Sequence, residues 1–335
     1  MKIGVLSYEH QKLALDGRDW QNIGDYIQSY AMYQILEEMN LTDRIDTVSK
    51  FELDKYDGDY ILLMMNSFNN LTNQVYLQQC VYPVSEKIIP FYITLDGVNY
   101  LKENVDLSHN DFYNKLNEGI MPKTSCPSIN DYTDVFKEVT ERGCKVICFC
   151  LSSKLSGSYQ SAFNAAAEFN ENEQRVFVVD SQLATAAQGL LINECVRMRE
   201  DKLDVQTAFD KINELKLTGG INFVIDDLTY LQKGGRIGKV SALMGTILNI
   251  KPIIELKNGE LLPLGKVRGR KKAAAEIKKI TADIIKNYGD TYAYTILNFA
   301  QIGDIDDFTS SVDMTMKAYC IGSTIGSHVG TSAAG

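Results

Sequence analysis

The chain has 335 residues, 45% of them hydrophobic, and its 43 acidic against 34 basic residues give a formal charge of −9. That length buries a core without help from disulfides or metals and allows two or three domains. The acidic balance excludes a protein that wraps nucleic acid with a basic surface.

The opening MKIGVLSYEH has one lysine and a four-residue apolar run, short of the ~7–15 apolar residues of a signal peptide. The longest apolar runs, Tyr60–Met65 and Val146–Leu151, are strand-sized, well below the ~20 residues that cross a bilayer. A soluble, cytoplasmic protein with no stable membrane insertion is expected. The seven cysteines (Cys80, Cys126, Cys144, Cys148, Cys150, Cys195 and Cys320) form no CxxC pair. They read as reduced thiols, several of them buried.

In chain order, KIGVLSY, RIDTVSKF and DYILLMMN predict strands, with a helix over GDYIQSYAMYQILEEM whose Ile27, Tyr30, Ala31, Ile35 and Leu36 share a face. An amide-rich stretch from Asn66 to Gln79 follows, and KIIPFYITLD predicts one strand. Helix DYTDVFKEVTERG, strand KVICFCLSS, a helix from about Gly157, strand RVFVVDS and a long helical stretch from Ala184 towards Leu215 come next. This alternation predicts a mainly parallel sheet with flanking helices. From Gly219 the expected order is strand INFVIDDL, a short helix, the turn KGGRIGK, an apolar helix SALMGTILNI, and a hairpin KPIIEL/LLPLGKV turning at Asn258-Gly259. Helix GRKKAAAEIKKITADIIKNYG, strand AYTILNFA, one more helix and a glycine-rich tail complete a second, mixed α/β domain. The expected divisions are an N-terminal subdomain over 1–74, a first α/β domain over 75–218 and a second over 219–335.

Hydroxyls, glycines and cations concentrate in PKTSCPS (122–128), LSSKLSGSYQSA (151–162), LQKGGRIGK (231–239) with KVRGRKKA (266–273), and IGSHVG (325–330). Thr124, Ser125 and Ser128 lie on a turn stiffened by Pro122 and Pro127. Ser152 and Ser153 end a strand, and Ser156-Gly157 open a helix whose free N–H groups favour an anion. The plain alternative is that Thr124 and Ser156 only cap local structure. No GxxxxGK[ST] loop exists, because Lys233 stands where Gly238-Lys239 would need a glycine five residues earlier.

In this order and at these separations the four stretches resemble the DegV family, from about Lys87 to the end of the chain. The resemblance implies a DegV-like α/β architecture of two domains that holds one long-chain fatty acid between them. It further implies that the protein is a non-catalytic subunit, without cofactor or metal, that presents the fatty-acid carboxylate to a separate fatty-acid kinase. Residue by residue it implies Thr124 and Ser153 as carboxylate contacts, then Ser125 and Ser156, with Arg236, Arg268 and His328 near the head group. An apolar slot is expected from Phe91, Ile93, Phe163, Leu243, Met244, Ile247, Leu248 and Ile250.

The sequence departs from the family in two places. Gly330-Thr331-Ser332 stands where the family has Gly-Pro-Gly, and Asn66-Ser67-Phe68 stands where it has an Asp-Ser-Thr loop. The first seventy or so residues instead resemble the start of polysaccharide pyruvyl transferase-like proteins, so the alternative function is a transferase using Asp25 and His10.

Overall fold

A computed structural model of the chain describes residues 3–7, 45–49, 60–65, 87–226, 228–243, 249–288, 296–299 and 317–335. The helix expected over 24–39, His10, Asp25, the Asn66-Ser67-Phe68 stretch, Met244, Ile247 and Leu248 lie outside these residues.

Strands β1 (Ile3–Ser7) and β2 (Ile45–Ser49) pair in parallel. Strands β3 (Tyr60–Met65), β4 (Lys87–Ile89), β8 (Lys145–Cys150) and β9 (Val176–Asp180) form a parallel sheet in the order β4-β3-β8-β9. The apolar run in β8 has the physical cause expected of a central parallel strand, since both of its faces are covered. Ile147 and Phe149 pack with Phe177, Leu191 and Ile192 on one side. Val146, Cys148 and Cys150 pack with Tyr132, Phe136 and Ala162 on the other. Cys148 and Cys150, which share a face, hold their sulfurs 4.0 Å apart as free thiols.

The run KIIPFYITLD is two strands. Proline has no N–H to give to a ladder, and at Pro90 the chain leaves the parallel sheet and starts β5 (Tyr92–Thr94). β5 is the centre of a small antiparallel sheet, β6-β5-β7, with β6 at Tyr100–Lys102 and β7 at Lys123–Ser125. Between them lies α1 (His109–Asn117), capped by Ser108. Helix α2 (Ile129–Glu141) begins in a reciprocal capping box of Ser128 and Asp131, and α3 (Ser158–Ala166) follows β8.

The long helical stretch after Ala184 is broken into α4 (Thr185–Glu200) and α5 (Val205–Leu215). Lys202 at φ 58° turns the chain, and the Asp204 side chain accepts from the Thr207 N–H to cap the second helix.

A second antiparallel sheet consists of β10 (Ile221–Val224), β11 (Ile250–Lys257) and β12 (Glu260–Arg268). Its tight turn has Asn258 at φ 49° and Gly259 at φ 81°, the left-handed pair of a two-residue hairpin. α6 (Thr229–Lys233) precedes a short 3-10 stretch, Gly238–Leu243, where the apolar helix was expected to start. α7 (Arg270–Tyr288) packs Ala273, Ala274 and Ile277 on Val224 and Ile253. β13 (Ile296–Phe299) and β14 (Lys317–Cys320) pair in parallel, and α8 (Ser323–Val329) lies within the glycine-rich tail. The chain end is anchored, with Val224 and Ala334 exchanging two backbone hydrogen bonds.

Candidate functional site

β7 alternates its side chains, so Thr124 and Ser125 point to opposite faces of the small sheet. Thr124 is half-buried and its Oγ1 lies 2.9 Å from His328 Nε2, a contact between residues 204 apart in sequence. Ser125 is exposed, with its hydroxyl donating to the Cys126 carbonyl at 3.3 Å. His328 reaches Thr124 because α8 ends against α6, where Gly234 leaves room for the imidazole. Gly234 has an ordinary negative φ, so the glycine is required by this close approach. Its neighbour Gly235, at φ 72°, is the one that makes the turn.

The Thr124–His328 pair borders a cavity of about 300 Å³. Ser156, Gly157, Cys126 and Arg236 border it too, with Ser125 as part of the same wall. The remaining wall is mostly apolar: Phe91, Leu151, Leu155 and Ala184 on one side, Ile221, Phe223, Leu256 and Leu261 from the β10–β12 sheet, and Ile321, Ile325 and Val329 from α8 and its approach. A concave, largely apolar space with a few grouped polar side chains is the usual form of a small-molecule site.

Arg236 is half-buried and bridges two parts of the fold. Its Nε donates to the Leu155 carbonyl at 3.0 Å and its Nη1 to the Gly234 carbonyl at 2.6 Å. Burial, helped by the nearby Arg236 guanidinium, pushes His328 down to about 4, so the imidazole is neutral near pH 7 and Arg236 is the cation of this wall. Ser156 Oγ accepts from the Ser158 N–H at 3.2 Å, just before α3 begins.

Two of the expected contacts lie elsewhere. Ser153 is exposed and held by Asp180, its hydroxyl on Oδ2 at 2.5 Å and its N–H on Oδ1 at 3.0 Å. Arg268 is exposed at the open end of the hairpin, opposite Ile250, whereas the Lys257–Glu260 end is the one beside Ser152. At about 3.4 Å per residue, this separates it from the turn by roughly 27 Å.

Of the expected apolar slot, Phe91 borders the cavity. Ile93 packs instead with Phe112, Tyr113 and Leu116, and Phe163 is 54% exposed on the outer face of α3. Leu243 joins the cluster around Leu231 and Val240, and Ile250 stands opposite Arg268. Sequence reasoning missed Ala184, Thr324, Ile325 and the β10–β12 wall. The apolar alternation of the strands could have indicated that wall, but not which of its faces meets the cavity.

The fold and site define an α/β protein that encloses an apolar ligand space with hydroxyl, imidazole and guanidinium groups gathered along one part of its wall. Residues 85–335 match the family described as uncharacterised protein, DegV family, and the chain belongs to the DegV family. A DegV domain-containing protein of Caldanaerobacter subterraneus is 33% identical over 261 residues, which cover 74% of this chain and 89% of that one. Among solved structures, a stearic acid-binding protein from Eubacterium ventriosum is 30% identical with a TM-score of 0.73, covering 82% of this chain and 96% of its own. A DegV family protein from Thermus thermophilus, described for its fatty acid binding, is 26% identical with a TM-score of 0.68, covering 82% and 97%. The match to the family begins at residue 85, and no comparison supports the pyruvyl transferase-like reading of the first seventy residues.

Proposed function

We propose that this protein binds one long-chain fatty acid, with the acyl chain in the apolar cavity and the carboxylate at the Thr124–His328 pair. The observation that carries this reading is the 2.9 Å contact between Thr124 and a half-buried, neutral His328 at the edge of an otherwise apolar space. If the neutral imidazole donates from Nε2 to Thr124 Oγ1, the threonine O–H is released to donate to a carboxylate oxygen. Ser156 and the free Nη2 of Arg236 supply further donors, and arginine suits an oxyanion that gains charge. The stearic acid-binding relative supports the class of ligand.

At about 0.8 kcal/mol per buried CH₂, a long chain contributes on the order of 10 kcal/mol before binding costs of similar size. Chain burial therefore sets affinity, and the head-group contacts set orientation. The resemblance to the family extends the reading to a non-catalytic subunit that hands the carboxylate to a separate fatty-acid kinase, which supplies nucleotide and magnesium for acyl-phosphate formation.

Organic extraction of the purified protein followed by mass spectrometry tests the proposal. A stoichiometric long-chain fatty acid is expected. Protein that carries no lipid and takes up no stearate from solution overturns it.

A further inference from the structure

Under the first turn of α8, bonded to the cavity-lining Thr324 but not itself bordering the cavity, lies a fully buried acid that the binding reading does not use. Glu103 is 0% exposed and follows β6 directly. Its Oε1 accepts from the Thr324 N–H at 2.9 Å and its Oε2 from the Thr324 hydroxyl at 2.6 Å. Among the described residues no cation is paired with it. A buried carboxylate without a cation is costly unless its hydrogen bonds are specific and well made, and both of these go to the first turn of α8.

Beside it, the Tyr113 hydroxyl donates to the Ile321 carbonyl at 2.9 Å, and Gly326 packs on Tyr113 and Phe112 with no space for a β-carbon. α8 is thus gripped at its start by Glu103 and along its back by α1. Four residues after Thr324, about one turn further along the same short helix, His328 meets Thr124. The small antiparallel sheet carries both halves of the contact: Thr124 sits on β7, and Glu103 extends from β6.

We infer that Glu103 is a positioning residue for the head-group site, clamping α8 through Thr324 so that His328 is held against Thr124. This rests on the fatty-acid reading for its ligand, but not for its main readout. The groups facing Glu103 are the Thr324 hydroxyl and the Ser323 and Thr324 N–H groups from α8, with the Tyr113 phenol nearby and the Cys320 thiol beside that phenol. Glutamine can replace the clamp, accepting from the Thr324 N–H and donating to its hydroxyl. Leucine cannot, and leaves two buried donors unpaired.

The experiment follows the histidine ring resonances by NMR across pH in the full-length protein, where only three histidines are present, together with the carboxyl resonance of bound ¹³C-carboxyl stearate. In the wild type and in Glu103→Gln, His328 should titrate well below the ordinary range and the stearate carboxyl should give one sharp signal. In Glu103→Leu, His328 should move towards the ordinary value near 6.5 while His109 stays unchanged. The carboxyl signal should broaden, and stearate should dissociate about tenfold faster, as for the loss of one charge-assisted contact. Thr324→Ala, which keeps the N–H bond and loses the hydroxyl bond, should fall between the two and serves if Glu103→Leu does not fold. An unchanged His328 titration in Glu103→Leu, or in Thr324→Ala where Leu does not fold, overturns the inference. So does a glutamine variant as perturbed as the leucine variant. Failure of wild-type protein to load stearate would overturn the fatty-acid reading instead, leaving the His328 titration to decide this one.

Discussion

Gly234 and His328 pack so closely that a β-carbon on the glycine would overlap the imidazole Nδ1. Gly234→Ala should therefore push His328 away from Thr124, since α8 is held from behind and the ring is the part free to give. Overpacking of this kind costs about 1–3 kcal/mol. Urea denaturation should show that loss, and the His328 resonance should titrate closer to its ordinary range. Retention of the wild-type titration would mean that the backbone at Gly234 yields instead.

Thr124→Val keeps the shape of the side chain and removes its hydroxyl. Stearate affinity should fall by about five- to tenfold, as for one net hydrogen bond, without loss of loading, because the chain supplies most of the burial energy. His328→Ala should have a similar effect, and the double variant should be little worse than either alone, as expected of groups acting as a unit. Isothermal titration of delipidated protein measures all three. Additive losses would show that the two side chains act separately.

The parts of the fold that were legible in the sequence are those set by neighbours along the chain. β8 was visible as a continuous apolar run, and the Asn258-Gly259 turn declared its left-handed geometry through residue type. The chain switch at Pro90 was hidden, because an apolar run on either side of a proline looks like one strand until its ladders are assigned. The candidate site was legible only where a motif carried its own geometry, as in Thr124 and the Ser156-Gly157 helix start. Ser153 looks equivalent to Ser156 in sequence, but Asp180 captures it from the end of the adjacent strand, a contact that spacing does not reveal. Glu103 reads as a surface charge in YLKENVD, and only the return of the chain over 200 residues later buries it under Thr324.

Arg236→Lys should show why the side chain is an arginine. The guanidinium, in the cavity wall, bonds the Leu155 and Gly234 carbonyls from two different nitrogens and has a third to spare. A single ammonium cannot reproduce that fork. The lysine variant should keep the charge but lose part of the link between the loop at Leu155 and the turn at Gly234. An increase of several-fold in stearate dissociation is expected, with a modest drop in urea midpoint. An unchanged dissociation rate and midpoint would reduce the arginine to a source of charge. With a competent kinase, Arg236→Ala should lower acyl-phosphate formation by more than it lowers loading. Equal losses would remove the case for a role at the charged product.

The pH dependence of stability should expose two buried groups that act in opposite directions. Burial first, then Arg236, holds His328 at about 4 in the folded protein, against about 6.5 in an unfolded chain. Above pH 6.5 the ring is neutral in both states and contributes nothing to the slope. As the pH falls from about 6.5 to 4 the unfolded chain takes up the proton first, so stability is lost through that window. His109, also lowered to about 4 by burial, adds to the same acid limb. Glu103 works the other way: burial raises it to about 7 despite the Thr324 hydrogen bonds, so the folded state keeps its proton longer than an unfolded glutamate with the ordinary value near 4.3. Its contribution is full below that value and is lost as the pH rises through 7. Between about pH 4.5 and 6.5 the histidines favour higher pH and Glu103 favours lower pH, which should give the wild type a shallow profile there. Urea midpoints measured from pH 4 to 8 should show a flatter acid limb in His328→Gln. In Glu103→Gln the decline towards neutral pH should disappear, and the rise with pH below 6.5 should become steeper because nothing then opposes the histidines. A Glu103→Gln profile that parallels the wild type would mean that the carboxyl is already ionised throughout this range, with the Thr324 hydrogen bonds outweighing the cost of burial.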